Sequence, residues 1–304
     1  MNLPGTVLPG LIDAHAHAQL LHLPTLRAGG ISGVWDLGGN PSAVTPFLIE
    51  RFAGPFLTAP GGYPTDRSWV PPDSCREIRS PADAADAVAE AHAFGATLIK
   101  VTAHAGGPML PASTLSALVT AAHSRELPVV VHAEGPGTVE AALEAGADML
   151  AHTPWTELLD AGLVRDCAAR MTWISTIDIH GWGTSTPARE TAIANLRQFV
   201  SYAGKVRYGT DLGNGPLPLG VNAREIRALQ LAGLSPSDIL TAMTGSDSDF
   251  TAATGFGGDL SAVTGCGAVE SCWVPGGLDL SAGGFADSLA TARVLGPEVQ
   301  PRQF

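Results

Sequence analysis

The chain has 304 residues, 45% of them hydrophobic and 15% charged, with a formal net charge of −12. That balance disfavours nucleic acid and anionic membrane surfaces as partners, and no apolar run reaches the ~18 residues of a membrane span. The opening MNLPGTVLPG lacks the basic and apolar segments of a secretory signal, so a cytoplasmic protein is expected. The cysteines, Cys75, Cys167, Cys266 and Cys272, form no C-x-x-C pair and read as reduced thiols.

From residue 11 to about 232, strand-like and helix-like runs alternate. In chain order the expected strands are Leu11–His17, Ile31–Leu37, Pro55–Ala59, Thr97–Thr102, Pro128–His132, Asp148–His152, Met171–Thr176 and Val206–Asp211. Between them lie alanine-rich amphipathic stretches at Ala82–Phe94, Ser113–Arg125, Thr138–Ala145, Glu157–Arg170 and Ala188–Ala203. Ser80-Pro81 has the form of an N-cap followed by proline at the first helical position. Gly95, Gly146 and Gly204 are placed to close helices. This alternation predicts a parallel sheet, and eight units predict a closed (β/α)8 TIM barrel, a fold of about 250 residues. No G-x-G-x-x-G follows the first strand, which argues against dinucleotide binding. Residues 60–80 form a long Gly/Pro-rich loop carrying Tyr63, Arg67 and Trp69, of a length that is usually functional or disordered. After Gly245 the chain is Gly/Ser/Thr-rich, with short strands expected at Cys272–Val274, Gly277–Leu280 and Leu289–Val294. The expected division is a barrel over 1–244 and a C-terminal extension over 245–304, packed on the barrel or on a partner subunit.

Chemistry-bearing residues stand at the downstream ends of the apolar runs. Alternation puts Leu11, Asp13, His15 and His17 on one strand face and Ile12, Ala14 and Ala16 on the other. Two imidazoles side by side form a metal chelate, or else two surface or core histidines. Lysine occurs only at Lys100 and Lys205. Lys100 shares the inward face of its strand with Leu98 and Thr102, where an unpaired ammonium would be very costly. It either pairs with an acid or loses its charge, and a neutral amine can take up carbon dioxide to become a carbamate. His132 and His152 end successive strands. Asp211 ends the eighth, where Gly213, Gly215 and Pro216 follow rather than a helix to cap. Catalytic groups of a β/α barrel collect at this end of the strands. His104, His180 and Trp182 stand in loops as further candidate substrate contacts, beside Tyr63, Arg67 and Trp69.

These residues resemble the amidohydrolase superfamily, and within it the imidazolonepropionase-like and prolidase-like hydrolases. The likeness is carried by Thr6-Val-Leu-Pro-Gly-Leu-Ile-Asp-Ala-His-Ala-His17, Ile99-Lys-Val, Val130-Val-His-Ala-Glu134, Leu150-Ala-His-Thr153 and Gly209-Thr-Asp211, and it extends over Leu217–Thr244. The resemblance implies two divalent metal ions, zinc foremost. His15, His17 and Asp211 would hold one, His132 and His152 the other, and a carboxylated Lys100 would bridge both. It implies a hydroxide held between the metals, Asp211 as the proton carrier, and hydrolysis of an amide-type C–N bond in a dipeptide, N-acyl amino acid or cyclic amide. A lactonase or esterase using the same site is the first alternative, and a catalytically silent barrel is a second. Relatives carry a β-sandwich that begins well before the entry motif, so here it is expected to be missing or vestigial. Where relatives often have Gly-Gly-His, this chain has Gly61-Gly-Tyr63, which marks Tyr63 as the first candidate for substrate contact. The expected partner is a small molecule, not nucleic acid or membrane, with assembly into a homo-oligomer open.

Overall fold

Short runs rich in valine, isoleucine and leucine build the centre of the molecule, because strands covered on both faces need few polar residues. The structure is a computed structural model, and it describes residues 5–43, 47–244 and 270–296. In chain order the strands are β1 (Gly5–Pro9), β2 (Ile12–Ala16), β3 (Gly33–Asp36), β4 (Ile49–Phe52), β5 (Phe56–Thr58), β6 (Cys75–Glu77), β7 (Ile99–His104), β8 (Val129–Glu134), β9 (Met149–Leu150), β10 (Thr172–Ile174), β11 (Lys205–Arg207), β12 (Ser271–Pro275) and β13 (Arg293–Leu295). The helices are α1 (Pro24–Ala28), α2 (Pro81–Ala93), α3 (Ala112–His123), α4 (Thr138–Ala145), α5 (Ala161–Arg170), α6 (Pro187–Ser201), α7 (Ala223–Leu231), α8 (Pro236–Met243) and α9 (Phe285–Leu289).

The parallel strands fall into two ladders, β2-β3-β4 and β11-β10-β9-β8-β7-β5-β6. The architecture is an α/β, TIM-barrel-like one in which the ladder itself does not close. Two sets of hydrogen bonds join its parts. At one seam the third barrel strand is split at Ala53-Gly54-Pro55. Its first half, β4, pairs with β3, while its second half, β5, pairs with β7. Phe52 O also accepts from Thr97 N at 2.8 Å, at the foot of β7. At the other seam β2 meets the extended chain after β11. Ala14 N donates to Tyr208 O at 2.9 Å, His17 N to Leu212 O at 2.8 Å, and Leu212 N to His15 O at 3.0 Å.

Two cores result. Ala14, Trp35, Leu37, Ala53, Leu98, Val130, Ala151 and Ile174 fill the space inside the strands. A larger outer core packs Ile99, Val101, Val129 and Val131 against helical residues such as Ala87, Val88, Leu115 and Leu118. Strict alternation along β2 is corrected here. Ile12 and Ala14 face the inner core while Leu11 and Ala16 face the outer one. A register irregularity between Asp13 and Ala16 then shifts the parity, as a bulge does, and His15 and His17 still reach the inside.

Capping explains several helix limits. Ser80 Oγ accepts from Asp83 N at 3.2 Å, with Pro81 in the first turn of α2. The helix expected from Glu157 begins only at Ala161, because Asp160 caps it there by accepting from Gly162 N at 2.7 Å. Gly95 and Gly146 take positive φ after α2 and α4. Gly204 does not: Ala203 is the left-handed residue (φ 58°), and Gly204 is required because a Cβ there would sit 2.4 Å from the Phe199 ring.

A small antiparallel sheet of order β1-β12-β13 covers one side of the molecule. Its inward residues Leu8, Cys272 and Val274 are buried, as are Phe285 and Leu289 of α9. Of the expected tail strands, Cys272–Val274 forms as part of β12. Gly277–Leu280 is not a strand, and Leu289–Val294 divides between the end of α9 and the start of β13. The 60–80 loop also contains β6, which pairs parallel to β5. Cys75, Cys167 and Cys272 are free thiols, and Cys266 lies outside the described residues. No described helix is long and apolar enough to cross a membrane.

Candidate active site

β2, the start of β7, β8, and the segments after β9 and β11 bring His15, His17, Lys100, His132, His152 and Asp211 into one buried cluster. His15 and His17 have ring centroids 5.4 Å apart, His15 and His152 4.6 Å, and His132 and His152 4.9 Å. Asp211 Oδ1 lies 3.1 Å from Nε2 of both His15 and His17. Lys100 Nζ is 3.5 Å from His15 Nε2. Asp211 adopts a left-handed backbone (φ 61°), and its Oδ2 accepts from Asn214 Nδ2 at 2.9 Å. Gly209 allows the close approach behind it, since a Cβ there would lie 2.4 Å from Ile174 and 3.1 Å from His15 Cβ.

The outer contacts fix how the imidazoles present themselves. His15 Nδ1 lies 2.8 Å from Ala151 O, and His17 Nδ1 lies 3.0 Å from Gly38 O. A carbonyl only accepts, so each Nδ1 carries the hydrogen. Burial, helped by the nearby Lys100, holds the His15 pKa well below its usual value, so this ring is neutral and its Nε2 bears a bare lone pair. Asp211 Oδ1 is buried without a hydrogen-bond donor. Acceptor atoms therefore face one another in a buried space, an arrangement that suits a cation and suits little else. Nitrogen and carboxylate donors held by outer hydrogen bonds fit a divalent metal such as zinc. Among the described residues two groups could hold a metal ion: His15, His17 and Asp211, and separately His104, His132 and Glu134.

Lys100 is fully enclosed, and burial lowers its pKa from 10.5 to about 7, against the opposite pull of Asp211 and Asp36. Of the two ways to bury this lysine, pairing with an acid is represented by no direct ion pair among the described residues, while loss of charge is within reach near neutral pH.

Of the candidate contacts, Tyr63 stacks on His132 (4.7 Å, 22°) and tilts towards His104 (5.2 Å). Its backbone carbonyl accepts from Thr58 Oγ1 at 2.7 Å and Thr102 Oγ1 at 2.6 Å, which ties the loop to β5 and β7. Trp69, 39% exposed, leans over His17 at 5.7 Å. Arg67 stands further out, its guanidinium 5.4 Å over the Tyr63 ring. His180 stacks on Trp155 (4.5 Å, 24°), and Trp155 in turn meets His152 at 5.3 Å. Trp182 is exposed and sits against Gly215, away from the histidine cluster's ring contacts.

Several neighbours were not singled out from sequence. Trp155, Glu134, Asp36 and Asp13 belong to this set. Glu134 follows His132 by two residues and so shares its strand face, a signal that period two does carry. Asp13 is buried, accepting from His15 N and Thr210 N, both at 3.0 Å, and from Thr210 Oγ1 at 2.6 Å. It locks β2 to the strand end that bears Asp211. Asp36 Oδ1 accepts from Ala18 N at 3.1 Å.

The chain belongs to the amidohydrolase family, whose profile matches residues 6–248. Among solved structures it resembles a Xaa-Pro dipeptidase with methionine bound in its active site, at TM-score 0.69 and 18% identity over 95% of this chain and 84% of that one. A putative prolidase from Bifidobacterium longum gives TM-score 0.69 and 20% identity over 98% and 82% of the two chains. Ochratoxinase of A. niger gives 0.64 and 15% over 78% and 70%. At such identities these likenesses concern the fold. No curated protein matches the sequence. Family membership makes the protein a hydrolase acting on small molecules.

Proposed function

We propose that this protein is a binuclear, metal-dependent amidohydrolase that cleaves an amide-type C–N bond in a dipeptide, an N-acyl amino acid or a cyclic amide. The observation that carries the reading is the buried meeting of His15 Nε2 and His17 Nε2 with the undonated Asp211 Oδ1, which lies 3.1 Å from each nitrogen. His15, His17 and Asp211 would hold one ion, and His132 and His152 the other, with Lys100 between them as its carbamate. Carboxylation converts the neutral lysine amine and carbon dioxide into an anion with release of one proton, and burial of Lys100 supports it by favouring the neutral amine. When bound, the two ions supply Lewis acidity towards a carbonyl oxygen and lower the pKa of water.

Asp211 accepts the proton of the attacking water and returns it to the leaving nitrogen as the carbon–nitrogen bond breaks. Asn214 Nδ2 holds the other carboxylate oxygen, which keeps Oδ1 turned into the site. Tyr63, Trp69, Trp155 and His180 wall the mouth with rings, a lining that excludes water and receives an apolar group beside the scissile bond. The dipeptidase and prolidase likenesses point to the same class of bond.

The test is a screen of zinc-reconstituted protein against dipeptides, N-acyl amino acids, cyclic amides and lactones. Metal-dependent turnover of amides supports the reading. Turnover of lactones alone would make the protein a lactonase with the same site, and no turnover with two ions bound would favour a silent scaffold.

A further inference from the structure

Glu134 and His104 have no part in the chemistry above, yet they touch one of its proposed ligands. β7 and β8 run in register, with Thr102 beside His132 and His104 beside Glu134. Glu134 Oε2 lies 3.0 Å from His132 Nε2 and 2.9 Å from His104 Nδ1. The Glu134 oxygen thus makes a hydrogen bond with His132 on its own strand and lies close to His104 on the neighbouring one, whose Nδ1 has no hydrogen-bond partner.

His132 differs from its partners in the nitrogen it uses outwardly. His15, His17 and His152 each turn Nδ1 to an outer group: Ala151 O, Gly38 O and Thr176 Oγ1, at 2.8, 3.0 and 2.8 Å. His132 turns Nε2 to Glu134. A carboxylate accepts and does not donate, so Nε2–H carries the proton and Nδ1 keeps its lone pair. The ring faces are held as well: Tyr63 stacks on one at 4.7 Å, and Trp155 meets the imidazole at 5.9 Å and 72°. The ring is thereby held by a stacked face, a T-shaped contact and Nε2, and Glu134 supplies the charged part of that hold.

We propose that Glu134 is the positioning residue of His132, fixing its tautomer and ring plane for metal binding, with His104 close beside the same carboxylate oxygen. An outer carboxylate raises the basicity of an imidazole ligand, and removing one typically costs about 10- to 100-fold in metal affinity. This inference rests on the reading of His132 as a metal ligand.

The experiment uses the full chain, stripped by chelator and titrated with Zn²⁺ against a chromophoric competitor, with melting of the metal-free protein recorded alongside. Wild type should take up two equivalents. Glu134→Ala should weaken one of them by about 10- to 100-fold and leave metal-free melting unchanged. Glu134→Gln, which keeps the shape and one acceptor oxygen but not the charge, should fall between the two. His104→Ala should give a smaller loss than Glu134→Ala. Wild-type affinity for both equivalents in Glu134→Ala overturns the proposal while leaving the binuclear reading intact. If Glu134→Ala does not fold, Glu134→Gln decides, and an unweakened second equivalent in that variant overturns it. Fewer than two equivalents in wild type would bring down the binuclear reading first, and this inference with it.

Discussion

Replacing Glu225 with glutamine should change the pH dependence of stability more than stability itself. Glu225 lies in α7 and is fully buried. Its two oxygens accept from Ile177 N at 3.0 Å and Asp178 N at 2.6 Å, the backbone that leads to His180. Burial, with Asp178 beside it, raises its pKa from the usual 4.5 to about 7. Between these values the folded state binds the proton more tightly than the unfolded state. The contribution of Glu225 to stability is therefore greatest below about pH 4.5, falls as pH rises, and levels off above about 7. A difference of that size is worth about 3 kcal/mol. Glutamine does not titrate, but its NH₂ faces one of the two backbone donors, and one buried donor left unpaired costs about 1–3 kcal/mol. Glu225→Gln should thus be clearly destabilising near pH 4.5 and close to neutral near pH 8. Urea unfolding of the metal-free protein at several pH values reads this directly. The difference between variant and wild type should move by about 3 kcal/mol in favour of glutamine across that range. Parallel stability curves would refute the reasoning, because they would mean that Glu225 does not titrate with folding.

Lys100→Ala should lose at least one metal equivalent and most activity, with partial rescue by short carboxylic acids; two bound ions and full turnover would exclude the bridging role. Tyr63→Phe and Trp69→Ala should alter kcat/KM and substrate ranking while metal content stays whole, and wild-type behaviour across the panel would reduce the 60–80 loop to a connection. Truncation after residue 244 removes β12, β13 and α9 and uncovers Leu8 and the faces packed on Phe285 and Leu289. It should lower the melting temperature, and an unchanged transition would show that the extension is an independent unit.

Much of this architecture is legible in the sequence because period two and helix punctuation are local. Leu98, Lys100 and Thr102 alternate with Ile99 and Val101 as the inner and outer cores require, and Ser80-Pro81 caps α2 where it stands. What escapes is set by distant partners. β1 has a proline at its end and no alternation of its own, and it is a strand because Gly5–Pro9 pairs with Ser271–Pro275. β6 lies inside a proline-rich loop and forms only by pairing with β5. After β11 the chain reaches β2 through Tyr208 and Leu212 on either side of the left-handed Asp211, and Lys205–Arg207 is all of it that forms a ladder. The candidate histidines and Asp211 are readable because each ends an apolar run, and Lys100 because it is one of two lysines and sits inside one. Asp13 and Trp155 are not, since their roles depend on Thr210 and His180, contacts that only folding creates.

The proposed reaction turns on Asp211 moving protons in a metal-dependent hydrolysis at this cluster. Asp211→Asn should be assayed for amide hydrolysis on the best substrate of the screen, with metal content measured on the same sample. The variant should fold and keep much of its metal while kcat falls by about 100-fold or more. An unchanged kcat with only a raised KM would contradict that role.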